Sequence, residues 1–174
     1  MKKRIPTLLL SLVFTFVITA CSSENKVALK DDSKVLASVN GKNITQQQVD
    51  MSRINSIFSE KEAVEKAIDE ELLLDKAKEL KINVSNKEAK AEAKKQRDLY
   101  EDMLKKADNK DEIKTTFNDL MKKLGLTEEE YWNSYAVQGY KNALTIGKAR
   151  EKLGADTEKT LKELRTKAKI NYFS

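Results

Sequence analysis

The chain has 174 residues, a formal net charge of +5, one cysteine, one proline and no histidine. These counts exclude zinc sites built from histidine and cysteine, catalytic triads that need histidine, and disulfide bonds within the chain. Charged side chains make up 35% of the residues and aromatic side chains 6%, which is typical of a helical, well-solvated protein rather than an enzyme with a large dry core.

The first 20 residues have the composition of a secretory signal. Lys2, Lys3 and Arg4 form a basic start, and a mostly apolar stretch follows from 5 to 18. This stretch is shorter than the roughly 20 residues that a helix needs to cross a bilayer, so it predicts a signal peptide over 1–20. The three basic residues account for more than half of the formal charge, and the rest of the chain is therefore close to neutral.

The lone cysteine, Cys21, follows directly on this leader. The segment 17–21 resembles a bacterial lipobox, whose cysteine receives a diacylglyceryl group and becomes the first residue of the mature protein. The alternative is an ordinary signal peptide with an incidental cysteine, but the position of Cys21 at the expected cleavage site favours the lipid. Because two or three acyl chains hold a protein at a membrane, Cys21 is predicted to be an anchor and not a nucleophile.

Residues 21–33 are polar and lack a hydrophobic period. They are predicted to be a flexible tether, with a mean reach of about 20 Å if they behave as a random coil. The sequence thus predicts a signal peptide over 1–20, a tether over 21–33 and a folded domain over 34–174.

Two places in the folded part have the pattern of strands. The run from Val35 to Val39 ends in Asn40-Gly41, a strong hairpin signal because both residues tolerate positive φ, and a short return strand follows. From 168 to 173 apolar and polar residues alternate, which indicates another strand. A lone strand cannot satisfy its backbone, so the C-terminal strand is predicted to pair with the N-terminal hairpin.

The rest of the folded part is predicted to be helical, which gives a mainly α fold closed by a small sheet. A Ser or Thr followed three residues later by Glu or Gln, the capping-box pattern, occurs at 45, 59, 85 and 127. These signals and the apolar periodicity predict helices at 46–58, 60–80, 86–107, 111–124, 128–153 and 157–167. The third of these is barely apolar over its first half and is predicted to project there as a solvated arm.

The sequence offers little support for catalysis, cofactors or nucleic-acid binding. Adjacent acids such as Glu70-Glu71 are typical of solvated helix faces, and no glycine-rich loop is present to bind phosphates. Residues 108–112 lack the ligand pattern and glycine of a calcium loop. Basic residues are interleaved with acids at helical spacing, which favours pairing within helices. No cofactor, metal or nucleic-acid partner is therefore expected.

The helix predicted over 128–153 carries most of the aromatic residues. A stripe of mostly small residues runs along one face at spacings of three and four, namely Trp132, Ala136, Gly139, Ala143 and Gly147. This surface is either a core face packed on several sides or part of an apolar groove for unfolded peptide. On the second interpretation the candidate peptide-binding residues are Tyr131, Trp132, Tyr135, Tyr140 and Leu144.

Five motifs in order along the chain resemble the N-terminal chaperone domain of the SurA/PrsA group of secreted foldases. They lie at 39–45, 68–77, 82–85, 124–131 and 164–170. The resemblance implies a SurA-N-like helical domain over 34–174 that binds peptides, and whose C-terminal segment returns to complete an N-terminal sheet.

One departure from this family bears on activity. Relatives usually carry a parvulin prolyl-isomerase domain before the returning segment, whereas here only residues 154–160 fill that interval. The parvulin site also normally contains histidines, which this chain lacks. The resemblance therefore implies a protein that holds a client without isomerising it, and no enzyme activity is expected.

Together these observations predict a membrane-anchored, extracytoplasmic, chaperone-like lipoprotein that binds unfolded or newly exported polypeptides. The abundance of lysine and asparagine favours the outer face of a Gram-positive plasma membrane. Two alternatives remain open at this point. One is a dedicated adaptor lipoprotein that binds a single folded partner, and the other is a peptidyl-prolyl isomerase with an unrecognised site.

Overall fold

The computed structural model describes residues 34–53 and 58–173, and this part of the chain is 76% helical with one three-stranded sheet. These proportions confirm the predicted mainly α fold with a small sheet. The predicted signal peptide, the tether and Cys21 lie outside the described residues.

The sheet joins the two ends of the folded part, as the sequence predicts. Its strands are β1 Val35–Val39, β2 Lys42–Thr45 and β3 Ile170–Tyr172, in the order β2-β1-β3 with both pairs antiparallel. At the hairpin, Asn40 and Gly41 have φ values of 51° and 84°, in the left-handed region that Asn-Gly tolerates. On the other side of β1, Val39 pairs with Ile170 and Ala37 with Tyr172. β1 is thus the central strand.

Seven α-helices follow one another in the described residues. They are α1 Gln46–Arg53, α2 Glu60–Glu79, α3 Asn86–Lys106, α4 Lys110–Leu124, α5 Glu128–Glu130, α6 Ala136–Leu153 and α7 Thr157–Lys167. A π-helical turn, Tyr131–Tyr135, connects α5 to α6 without a break, and a 3-10 turn, Gly154–Asp156, connects α6 to α7.

Side-chain caps fix where several of these helices begin. Ser59, Ser85 and Thr127 each accept a hydrogen bond from the amide three residues on, whose Glu side chain accepts from the cap amide in return. Before α1, the Thr45 amide donates to Gln48 Oε1 at 2.9 Å and the Gln48 amide donates to Thr45 Oγ1 at 3.3 Å. All four predicted capping boxes are confirmed, and each contributes about 1 kcal/mol to helix stability.

The first predicted helix, 46–58, is described only in part. α1 covers Gln46–Arg53, and residues 54–57 lie outside the described ranges. Arg53 Nε donates to the Phe58 carbonyl at 3.1 Å. Ser59 has the extended φ and ψ of an N-cap and begins α2.

The chain divides into two compact units, which are described separately. One unit comprises Val84–Gly147, and the other comprises 34–83 together with Lys148 to the C-terminus. In the second unit the sheet packs on α1 and α2. Its core consists of fully buried aliphatic side chains, among them Val39, Ile44, Val49, Ile68 and Leu73.

A charged cluster attaches α7 and β3 to α2 within this second unit. Arg165 Nε donates to Asp69 Oδ1 at 2.6 Å, and its terminal nitrogens donate to Glu65 Oε2 at 2.8 Å and to the Glu65 carbonyl at 3.0 Å. The Tyr172 hydroxyl donates to the other Glu65 carboxylate oxygen at 3.0 Å. The C-terminal segment is therefore held through its side chains as well as through the sheet.

No helix among the described residues is both long enough and apolar enough to cross a membrane.

Candidate functional site

An aromatic cluster forms the core of the unit Val84–Gly147. Phe117 of α4 lies 4.8 Å from Tyr100 of α3, 5.4 Å from Tyr131 and 5.9 Å from Trp132, measured between ring centroids. Tyr131 and Trp132 meet edge to face at 5.1 Å. Pairs at such distances add about 0.5–1.5 kcal/mol each beyond the area that they bury, so this cluster is a main source of the stability of the unit.

The structure places most of the predicted peptide-binding side chains in this core. Tyr131, Trp132 and Tyr140 are only 2%, 5% and 4% exposed. Tyr135 is 38% exposed and stacks on Tyr131 at 5.6 Å, and Leu144 is half-buried. The five side chains do not form one open surface. For the three buried rings the structure favours the core interpretation.

Burial also keeps these tyrosines protonated. It raises the pKa of Tyr100 to about 12, with a further contribution from the Glu128 carboxylate. The pKa values of Tyr131 and Tyr140 are likewise raised, mainly by burial. A phenol of this kind does not give up its proton near neutral pH, so these residues are packing elements and not acid–base groups.

Two glycines of the small-residue stripe lie beside open space. A Cβ atom added at Gly139 or Gly147 would meet no heavy atom within 4 Å. No neighbouring element therefore packs closely against the stripe at these two positions.

The open feature of this unit is a groove between α3 and the chain from Trp132 to Val137. Its volume is about 510 Å³, and it is lined by Lys90, Ala93, Lys94, Arg97, Asp98, Glu101, Trp132, Asn133 and Val137. Trp132 is the one member of the predicted set that lines it. Six of the nine lining residues come from α3, the helix that was expected to be a solvated arm over its first half.

A buried stripe on α3 explains why that expectation was wrong. Ala89 and Ala93, four residues apart, are buried, and Tyr100 continues the same side of the helix. Alanine adds little to a hydrophobic pattern. The sequence therefore predicts a solvated first half of α3, although two of its turns are packed through Ala89 and Ala93. The spacing of these three residues was the signal that could have revealed the contact face.

The π-helical turn decides which residues form the floor of the groove. The Ala136 amide donates to the Tyr131 carbonyl, five residues back instead of four. The floor is apolar and consists of Ala93, Trp132 and Val137. In a continuous α-helix Trp132 would align with Ala136, but the wider turn brings Val137, five residues on, to its side. Short π-helical segments of this kind often occur at functional sites.

The Trp132 indole is a buried donor with no acceptor among the described residues. Leaving a buried N–H unsatisfied costs about 1–3 kcal/mol.

The rim of the groove on α3 is charged but mostly neutralised within the helix. Lys94 Nζ lies 2.7 Å from Asp98 Oδ2, and Arg97 Nε lies 3.0 Å from Glu101 Oε1. Lys90, at one end of the groove, has no ion pair or hydrogen bond to the described residues. An apolar floor with a mixed-charge rim suits an amphipathic chain better than a small, fully apolar molecule.

The described residues contain no group of three or more acidic, cysteine or histidine side chains positioned to hold a metal ion.

Comparison with known proteins gives one relative of limited extent. No family model matches the chain, and no solved structure matches it. Over 95 residues the chain is 30% identical to the glutamate-rich protein GrpA of Alkalihalophilus pseudofirmus. The matched segment is 55% of this chain and 56% of that protein, so the chain spans little more than half the length of the relative. The name of the relative describes a composition and no activity.

Proposed function

We propose that this protein is a chaperone-like lipoprotein that holds unfolded or newly exported polypeptides outside the cytoplasm, without isomerising proline bonds. The observation that carries the proposal is the groove on α3, with its apolar floor and its charged rim. The five motifs that resemble the SurA/PrsA chaperone domain support it.

The dimensions of the groove suit a short piece of extended chain. Lys90 and Glu101 mark its limits along α3. The helix advances about 1.5 Å per residue, so the 11 steps between these two residues correspond to about 16 Å. An extended peptide advances about 3.3 Å per residue, so about five residues fit. Such a segment offers an apolar side chain to the floor and polar groups to the rim.

Two further features support holding without isomerisation. The chain has no histidine, whereas the parvulin site of the resembled family normally contains several. In addition, α6 continues into α7 through the three residues Gly154–Asp156, in the interval where relatives carry the isomerase domain. The anchoring part of the proposal depends on Cys21 and its leader in the sequence.

Suppression of aggregation tests this proposal directly. The mature chain with Cys21→Ser, which retains every described residue, is mixed with reduced insulin and light scattering is followed without ATP. We expect stoichiometric protein to slow the aggregation. Val137→Asp, which places a charge on the floor of the groove, should abolish most of the effect.

The matched control is Leu99→Asp, because Leu99 is an apolar residue of α3 that is 54% exposed and lies outside the groove. It should retain full activity. If Val137→Asp fails to fold by circular dichroism, Val137→Thr replaces one methyl group by a hydroxyl at the same place and serves instead. Wild-type protein that holds none of several unfolded substrates would overturn the proposal and favour the single-partner adaptor, whereas faster proline-limited refolding would favour an isomerase.

A further inference from the structure

The charge of the groove is unevenly distributed along α3. Of the three basic residues on its wall, Lys94 and Arg97 are each paired with an acid one turn further on. Lys90 has no such partner among the described residues, and Lys94 lies four residues after it on the same helix face. The Lys90 end of the groove is therefore positive, and the Glu101 end is close to neutral.

Like charges four residues apart on a helix repel each other. An acidic side chain bound beside Lys90 would relieve this repulsion and would form an ion pair on the rim. The apolar floor begins less than one helical turn away, at Ala93. An occupant that satisfies both features has an apolar side chain on the floor and a carboxylate within about two residues of it, at 3.3 Å per extended residue.

We propose that the groove selects extended segments in which an apolar side chain is flanked by aspartate or glutamate, with Lys90 as the residue that determines this selectivity. The inference rests on the proposed function, because it assigns a substrate class to the same groove. Segments flanked by lysine or arginine bind less well, and segments with uncharged flanks lie between the two.

The chain provides its own reporter for a test. Trp132 is the single tryptophan and lines the groove, so its fluorescence reports occupancy at this site. Three capped five-residue peptides share a central phenylalanine and carry glutamate, glutamine or lysine on both sides. They are titrated at low salt into the mature Cys21→Ser chain.

We expect the glutamate peptide to bind about two- to five-fold tighter than the glutamine peptide, which corresponds to one exposed ion pair. The lysine peptide should bind weakest, and 0.5 M NaCl should remove most of the difference because salt screens exposed charges. Lys90→Glu should reverse the order of the three affinities, and Lys90→Gln should make the three affinities nearly equal. Both substitutions are at an exposed position, and circular dichroism checks that the variants are folded.

The matched control is Lys114→Glu, an exposed lysine of α4 outside the groove, which changes the net charge equally and should leave the order unchanged. If Lys114→Glu reverses the order as well, the preference comes from overall charge and the inference is wrong. If the three peptides bind the wild type equally well, the groove ignores charge, so the inference fails while the proposed function stands. If no peptide alters the Trp132 emission at millimolar concentration, the groove does not bind peptides, and the proposed function fails with it.

Discussion

At the scale of single residues, Arg165 makes most of the hydrogen bonds in the charged cluster that attaches α7 and β3 to α2. Its guanidinium makes three hydrogen bonds to Asp69 and Glu65 of α2, and it shares Glu65 with Tyr172 of β3. The hydrogen bond to Asp69 is the main cause that raises the pKa of Arg165 above its ordinary value, so this residue stays charged wherever the protein is folded. The planar guanidinium fits the two carboxylates and the carbonyl at once, which an ammonium group cannot do.

We therefore expect Arg165→Met to lower the free energy of unfolding by about 2 kcal/mol, since hydrogen bonds to charged groups contribute about 1.5–3 kcal/mol and this site is partly solvated. Arg165→Lys should lower the free energy of unfolding by about half as much, because lysine keeps the charge but makes fewer hydrogen bonds. Urea unfolding followed by circular dichroism measures both changes. Lys162→Met, at an exposed position of the same helix, is the control. Equal midpoints for Arg165→Met and Lys162→Met would show that the cluster adds no stability.

At the scale of elements, β3 is short but completes the sheet. The Asn40 amide donates to the Lys169 carbonyl at 3.0 Å, the Lys169 amide donates to Asn40 Oδ1 at 3.1 Å, and the Phe173 amide donates to the Leu36 carbonyl at 2.9 Å. These bonds extend the pairing beyond both ends of the strand. The side of β1 that faces β3 would be an open edge without them.

Deletion of residues 168–174 should consequently cost several kcal/mol, because about 1 kcal/mol is lost for each hydrogen bond that is not replaced equally well by water. The deletion also removes Tyr172, one of the two partners of Glu65 described above. The unfolding midpoint in urea measures the loss. An unchanged midpoint would show that β1 needs no partner on this side.

The element scale also shows how a local irregularity changes a site. A wider turn occurs at Tyr131–Tyr135, next to the groove that both Trp132 and Val137 line, and Gly139 borders open space. Counting residues at 3.6 per turn from Trp132 identifies Ala136 and Gly139 instead, and this count produced the predicted small-residue stripe. The groove therefore depends on a hydrogen-bonding pattern that departs from the α-helix at one place.

At the scale of the whole molecule, the predicted anchor and tether bear on the proposed location of the protein. If Cys21 carries the lipid, the tether over 21–33 leads from the membrane directly into β1. A coil of this length has a mean reach of about 20 Å. The unit that contains the sheet would then lie at about that distance from the lipid headgroups.

Cys21→Ser tests this arrangement. We expect the variant to move from the membrane fraction to a soluble or unprocessed form, because no other cysteine is present to receive the acyl chains. Fractionation of cells followed by immunoblotting measures the distribution, and a Ser22→Ala variant controls for a change at the adjacent position. A Cys21→Ser protein that is normally processed and still fractionates with membranes would place the anchor elsewhere.

The sequence by itself determined the features whose chemistry is complete within a few residues. The four capping boxes, which fix where helices begin, follow from side chains that bond to backbone amides three positions away. The Asn40-Gly41 turn follows from two residues that tolerate positive φ. The pairing of the C-terminal strand with the N-terminal hairpin also followed, because a lone strand needs a partner.

Only the tertiary structure decided which side of each helix is covered. Trp132 carries no local signal that separates a buried ring from an exposed one, since the rings that pack on it include Phe117, which is distant in sequence. The hydrogen bond from Arg165 to Glu65 joins residues that are 100 positions apart in the sequence. Burial is the sum of contacts from every neighbouring element, and a one-residue widening of a helix changes which side chains share that neighbourhood. For this reason the groove, unlike the helices that form it, required the folded chain.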